Sequence, residues 1–293
     1  MSGTHASDNL RGSLFMVIAM LAFAVEDVFF KSATMRVAPG LATLIFGLFG
    51  FSCFAVMVTL SGGPFLTRAF LSRAMFWRSV CEVAGRLFYA LALAFVPLSA
   101  TAAILQAAPL VVTLGAVVFL GERVGWGRWI AMGVGFAGVL VVLKPFGADF
   151  SPALLFAVAG TLGFAARDVA TRASSPTLST GHLGLAGFTM TIIAGLVIMA
   201  VEPAGPAPDA GALFRLVSAG IAGVAAYWAL TRAMRLGEIS VVAPFRYSRL
   251  LFAIGLAALV FGERPDLSTL AGGVLIVGSG IYTLVRSGRE KRA

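Results

Sequence analysis

Residues 14–31 read LFMVIAMLAFAVEDVFFK and residues 155–172 read LFAVAGTLGFAARDVATR. Set one on the other at an offset of 141, Leu14-Phe15 meets Leu155-Phe156, Val17 meets Val158 and Leu21 meets Leu162. Phe23-Ala24 meets Phe164-Ala165, Asp27-Val28 meets Asp168-Val169, and Lys31 meets Arg172. The same offset carries Ser99 onto Ser240, Ala102 onto Ala243 and Gly121-Glu122-Arg123 onto Gly262-Glu263-Arg264. Ala90-Leu91 and Ala94 match Ala229-Leu230 and Ala233 at a slightly smaller shift, as a short loop deletion would produce. Self-similarity over distant blocks marks an internal duplication that spans nearly the whole chain.

The repeating unit is apolar. Of 293 residues, 59% are hydrophobic and 12% charged, well below the charge content of an ordinary soluble domain. The apolar residues fall in blocks of about 20, the length that crosses a hydrocarbon core of about 30 Å. Blocks and breaks predict ten transmembrane helices: 12–31, 39–60, 74–96, 99–120, 124–143, 152–172, 180–201, 211–235, 239–261 and 267–285. Transmembrane strands would alternate apolar and polar residues, and these blocks do not. The expected fold is thus an all-α integral membrane protein. Its two five-helix repeats occupy residues 12–143 and 152–285, flanked by tails 1–11 and 286–293. An odd number of spans per repeat sends the second copy through the membrane in the opposite sense, so the repeats are inverted.

The formal net charge of +9 does not describe a nucleic-acid surface, because the basic residues sit mostly at span ends. On the side shared by the two termini lie Arg11, Arg68, Arg73, Arg123, Arg128, Arg172, Arg235, Arg286, Arg289, Lys291 and Arg292; the opposite side holds Lys31, Arg36, Lys144, Arg215 and Arg264. Cationic loops stay in the cytoplasm, which puts both termini there, as in a bacterial inner-membrane protein. The first span imitates a cleavable signal peptide, but its counterpart in mid-chain makes it part of the fold. Cys53 and Cys81 lie inside spans and match neither a disulfide framework nor a metal site.

Gly133-Val134-Gly135-Phe136-Ala137-Gly138 fits the dinucleotide-binding pattern but lacks the strand and soluble helix that pattern needs. Ala131 and Gly135 have instead the small-xxx-small spacing of close helix packing. With only His5 and His182, and without a nucleophile motif, the chain carries no catalytic constellation, metal site or cofactor signature. A membrane enzyme is disfavoured on that ground, and a receptor by the lack of a large soluble domain.

Ionisable residues inside spans are costly and mark pathways. Arg78, Glu82, Arg86 and Tyr89 share one face of the third span, as a substrate path or as an ion-pair ladder that fixes packing. In the ninth span Pro244 interrupts the helix ahead of Arg246, Tyr247 and Arg249. Arg246 or Arg249 can pair with an anionic group of a substrate, or one of them with Glu82. Gln106, in the same fourth span as Pro109, and Tyr227 and Trp228 in the eighth complete the candidate path, although aromatic residues in spans more often face lipid or the core. Asp27 with Lys31 and Asp168 with Arg172 occupy equivalent repeat positions near opposite faces, as alternate gates or as plain helix-end ion pairs. Glu26, Asp27, Glu82 and Asp168 are the intramembrane groups able to carry protons.

Taken together, the Pro109 span ending in Leu120-Gly121-Glu122-Arg123, its partner ending in Phe261-Gly262-Glu263-Arg264 and the glycine-rich spans after each resemble the drug/metabolite transporter superfamily, the EamA-type ten-helix carriers. The chain as a whole also looks like the bacterial aromatic amino-acid exporters of that superfamily. The resemblance implies a carrier that exports aromatic and other neutral amino acids, or related small metabolites, by alternating access. The stretch from Pro244 to Arg249 also resembles carriers of a nucleoside-like metabolite such as S-adenosylmethionine. The expected partners are a small-molecule substrate and the lipid bilayer.

Overall fold

The computed structural model describes residues 2–62, 64, 68–120, 125–144, 151–172, 179–203, 205–236 and 242–290. All regular structure among them is helical. The first half contains α1 (Ser2–Thr34), α2 (Pro39–Leu60), α3 (Arg73–Phe95), α4 (Leu98–Leu105), α5 (Ala108–Leu120) and α6 (Trp126–Leu143). The second contains α7 (Leu154–Arg172), α8 (Thr180–Val201), α9 (Ala210–Leu236), a 3-10 turn (Ala243–Tyr247), α10 (Ser248–Phe261) and α11 (Leu267–Glu290).

Local chemistry sets these boundaries. Pro39 occupies the first turn of α2, where its missing N–H costs nothing. The Ser72 and Ser179 hydroxyls accept from the N–H groups of Met75 and His182, capping α3 and α8. Lys144 and Gly262 end α6 and α10 in the left-handed conformation, with φ of 49° and 65°.

The expected fourth span is not one continuous helix. It breaks at Gln106 and Ala107, because Pro109 has no N–H to give the Leu105 carbonyl and the chain tightens there. At the offset of 141 this break falls at Tyr247 and Ser248, where the 3-10 turn passes into α10. Both central spans are therefore interrupted at matching depth, and the Gln106 amide donates to the Arg246 carbonyl across the two interruptions, at 3.2 Å.

Packing repeats the sequence symmetry. α1 lies along α9 and α3 along α7, two contacts that interchange when each helix is replaced by its counterpart. α2 lies on α8 and α6 on α11, each a pair of counterparts. The architecture is a ten-span transporter fold of two inverted repeats, with α4–α5 forming one span and the 3-10 turn with α10 another. Six helical stretches among the described residues are long and apolar enough to cross a membrane by themselves. α3 is not among them, since Arg78, Glu82 and Arg86 interrupt its apolarity, and the apolar parts of α6 and α11 are shorter. Leu48, Val56, Leu196, Phe214, Leu259 and Val274 face outward and supply the surface that lipid would cover.

Close approaches use glycine where two backbones touch. A Cβ on Gly195 would lie 2.6 Å from the Leu44 nitrogen, and one on Gly163 would lie 2.6 Å from the Gly85 Cα. Within the glycine-rich run of α6, Gly138 meets the Gly272 carbonyl of α11 whereas Gly133 faces open space. Gly195→Leu is therefore expected to destabilise the purified carrier by about 1–3 kcal/mol through overpacking, while Gly133→Ala leaves its thermal midpoint in detergent unchanged.

Candidate functional site

Four helices bring their charges to the centre of the bundle. Asp27 of α1 accepts from Arg249 of α10 at 2.7 Å, and Arg249 also donates to the Tyr89 hydroxyl at 3.1 Å. Glu82 of α3 accepts from Arg167 of α7 at 2.9 Å and stands 3.3 Å from Arg78 on its own helix. Arg167 also binds its neighbour Asp168 at 2.8 Å, Arg78 donates to Thr171, and Arg86 lies 3.5 Å from Glu26. Among the described residues this network joins Glu26, Asp27, Glu82 and Asp168 to Arg78, Arg86, Arg167 and Arg249, four carboxylates to four guanidinium groups. Asp27–Arg249 and Glu82–Arg167 each tie one half of the molecule to the other.

Aromatic rings wall the network. The Arg86 guanidinium lies 5.6 to 6.0 Å from the centroids of Phe46, Phe164 and Phe188, and Arg249 lies 5.0 Å from Phe23. Beside Arg86 a cavity of about 20 Å³ is bounded by Glu26, Thr43, Phe46, Tyr89 and Thr191. Side-chain exposure rises from 1% at Asp27 through 21% at Arg86 to 31% at Asp168, so the network is least covered toward the C-terminal end of α7.

The other end of the bundle is tied shut. The Glu263 carboxylate accepts from the backbone N–H groups of Leu98 and Ser99 and from the Ser99 hydroxyl, at 2.8, 3.1 and 2.9 Å, which satisfies the free donors at the start of α4. Glu202 accepts from the Gly40 N–H, Arg36 pairs with Asp209 and Lys144 with Asp266, each across the two halves. Lys31 donates to the carbonyls of Leu93 and Val96 at the end of α3.

The expected pairing of Asp27 with Lys31 does not form: the Lys31 ammonium caps α3, and Asp27 turns inward to Arg249. Nor does either arginine of the ninth span reach Glu82, whose partners are Arg78, Arg86 and Arg167. Asp168 takes Arg167; the Arg172 side chain lies outside the described residues, as do Gly121-Glu122-Arg123, Ser240 and the His5 side chain. Arg246 is half-buried and joins Gln106 through its carbonyl, and Tyr247 is buried against Gly280. Tyr227 packs edge-on against Phe54. Trp228 stands apart, half exposed on the outer surface against Phe15 and Arg232. His182 bridges Ser179 and the Pro64 carbonyl at the start of α8.

Two contributors escape the sequence reading: Arg167, and Glu26 as the partner of Arg86. A signal existed, because the offset of 141 sets Arg167 on Glu26, a cation on an anion at equivalent positions of two inverted copies.

The inverted halves, the interrupted central spans and the charge network between them define a multi-pass membrane transporter of small molecules. A model of the EamA-like transporter family matches residues 10–144 and, a second time, residues 151–285. The chain belongs to the EamA-like transporter family. It is similar to the riboflavin transporter of Rhizobium johnstonii, 30% identical over 293 residues, which covers 96% of this chain and 93% of that protein. The S-adenosylmethionine uptake transporter of Rickettsia conorii is 27% identical over 201 residues, 69% of this chain and 67% of the relative. The pseudopaline exporter of Pseudomonas aeruginosa is 28% identical over 274 residues, 91% and 93% of the two chains. A solved crystal structure superposes with a TM-score of 0.65 at 20% identity, covering 96% of this chain and 98% of that one, a likeness of fold.

Breaking one partner of a buried pair leaves an uncompensated charge, at about 3–5 kcal/mol. Asp27→Asn and Arg249→Gln are each expected to lower the thermal midpoint of the purified protein, and the double variant to lose less than the sum of the two. At the closed end, the bonds from Lys144 and Thr269 hold the Asp266 carboxyl down at about 2 from its ordinary 3.8. With the folded value depressed, that tie is at full strength above the ordinary carboxylate range and is lost only as pH falls toward 2. Maleimide labelling of Ala100→Cys, with Cys53 and Cys81 replaced and each rate taken relative to the denatured protein at the same pH, is expected to stay low from about pH 7 down to about pH 5 and to rise at both in Asp266→Asn.

Proposed function

We propose that this protein is a bacterial inner-membrane carrier that exports aromatic and other neutral amino acids, or closely related small metabolites, by alternating access. Residues 12–143 and 152–285 form its two repeats, and residues 1–11 and 286–293 its cytoplasmic tails. The observation that carries the substrate class is the balanced network of carboxylates and guanidinium groups, set among Phe46, Phe164, Phe188 and Tyr89. A free amino acid has both charges on one carbon and an apolar or aromatic remainder, so each part of it meets a complementary group there. A net anionic or cationic substrate would leave one set of partners bare.

The greater exposure of the network at the C-terminal end of α7, with ties between the halves at the opposite end, supports a cycle in which substrate enters from the side of the termini. The excess of cationic residues on that side supports its being the cytoplasm. Release on the far side then requires parting Glu263 from α4 and the two halves from each other at Arg36–Asp209 and Lys144–Asp266. Asp168 on one side and Asp27 on the other support the exchange of pairs that such a cycle needs.

S-adenosylmethionine is the second reading. It carries the same ammonium and carboxylate, adds a flat ring that suits the aromatic wall, and is named in the relatives from Rickettsia, but its sulfonium makes it a net cation, which ranks it behind a neutral amino acid.

The test is counterflow in proteoliposomes with labelled phenylalanine, leucine and S-adenosylmethionine, with and without an imposed pH gradient. Phenylalanine is expected to exchange above protein-free vesicles, faster than S-adenosylmethionine. Exchange of S-adenosylmethionine alone would select the second reading, and no exchange of any of them would overturn both.

A further inference from the structure

Of the three ion pairs among the described residues that join different helices in the centre, two are close and one is not. Arg249–Asp27 and Arg167–Glu82 are 2.7 and 2.9 Å apart, within the range of charge-assisted hydrogen bonds. Arg86–Glu26 is 3.5 Å. Both keep an unused atom: Glu26 Oε2 and Arg86 Nε are buried without a hydrogen-bond partner, the latter 3.9 Å from Glu82, and Glu26 is only 5% exposed. A carboxylate and a guanidinium that each keep an unused polar atom inside a membrane protein incur a desolvation cost that a bound group can relieve. Asp27 and Arg249 also carry unpartnered atoms, but neither lines the cavity, whereas Glu26 and Arg86 both do.

The cavity between them holds about one water, which fits a resting site whose occupant is exchanged for the charged end of a ligand. Phe46 and Phe188, from α2 and α8, stand over the same guanidinium and offer rings to whatever side chain follows that charged end. We propose that Glu26 and Arg86 form a zwitterion subsite, in which Glu26 accepts from the ammonium of the substrate and Arg86 donates to its carboxylate. The ligand enters by opening this loose pair between α1 and α3 and leaves the two tight cross-half pairs in place. One carbon separates ammonium from carboxylate in an α-amino acid, which matches partners that stand 3.5 Å apart. The proposal rests on the amino-acid reading above and assigns its two charges to particular side chains.

Three probes resolve those charges: L-phenylalanine, its amide without the carboxylate, and 3-phenylpropionate without the ammonium. Binding is measured on the purified full-length protein by ligand-induced thermal shift and by competition with labelled phenylalanine, for wild type, Glu26→Gln and Arg86→Gln. Wild type is expected to prefer phenylalanine over each analogue at least tenfold. In Glu26→Gln, phenylalanine and phenylpropionate should bind alike; in Arg86→Gln, phenylalanine and its amide should. Should Arg86→Gln fail to fold, the nearly isosteric Glu26→Gln decides the matter by its loss of ammonium discrimination. Phenylalanine binding with the wild-type order of preference in a folded Glu26→Gln would overturn the subsite and leave the amino-acid reading standing. Wild type that binds none of the probes, or all of them alike, would overturn both.

Discussion

A charge inside a lipid-spanning bundle must find an opposite charge, and in this protein the search crosses the seam between the two halves. Asp27 sits on the first helix and its arginine on the tenth, 222 residues away in sequence; Glu82 on the third helix meets Arg167 on the seventh. These pairs do what apolar burial cannot do in a membrane, where lipid competes equally well for every leucine. They give the halves a specific way to meet. They also make the seam polar, so the place where the halves touch is the place where a charged solute can be accommodated.

The two ends of the bundle are built differently. At one end, side chains from loops and helix termini reach backbone and opposite charges of the other half, with Glu263 on α4 and Glu202 on α2. At the other, the network is progressively less covered, toward Arg167 and Asp168. An inverted duplication has a second arrangement available in which the roles of the ends are exchanged. The matched interruptions of the fourth and ninth spans, joined by Gln106 and the Arg246 carbonyl, lie between the ends, where bending costs the fewest helical hydrogen bonds.

Much of this was legible in the sequence because membrane insertion and duplication both write periodic signals. Hydropathy places α2 at Pro39–Leu60 and α8 at Thr180–Val201, the spans observed, since each is a continuous apolar run between polar or proline breaks. The same hydropathy hides the break at Gln106: an apolar run reads alike whether or not Pro109 unlatches it, and only backbone hydrogen bonding reveals the interruption. Spacing along one helix identifies Arg78, Glu82, Arg86 and Tyr89 as a shared face, and all four lie in or beside the network. It does not identify the helix across from them. Hence Asp27 reads as the partner of nearby Lys31, while the lysine caps the carbonyls of Leu93 and Val96 and the aspartate turns to Arg249. Arg167 goes unread for the same reason, its importance arising from Glu82 on another helix.

The central claim, that the two halves part and rejoin about a charged seam during transport, is tested most directly by double electron–electron resonance between spin labels at Met35 and Ala207. Both positions are exposed at the tied end, one in each half. The account predicts one short distance in the resting protein, and a second, longer population when the Asp27–Arg249 pair is broken or substrate is cycling in liposomes. A single unchanged distance under all of these conditions, in protein that is transporting, would contradict it.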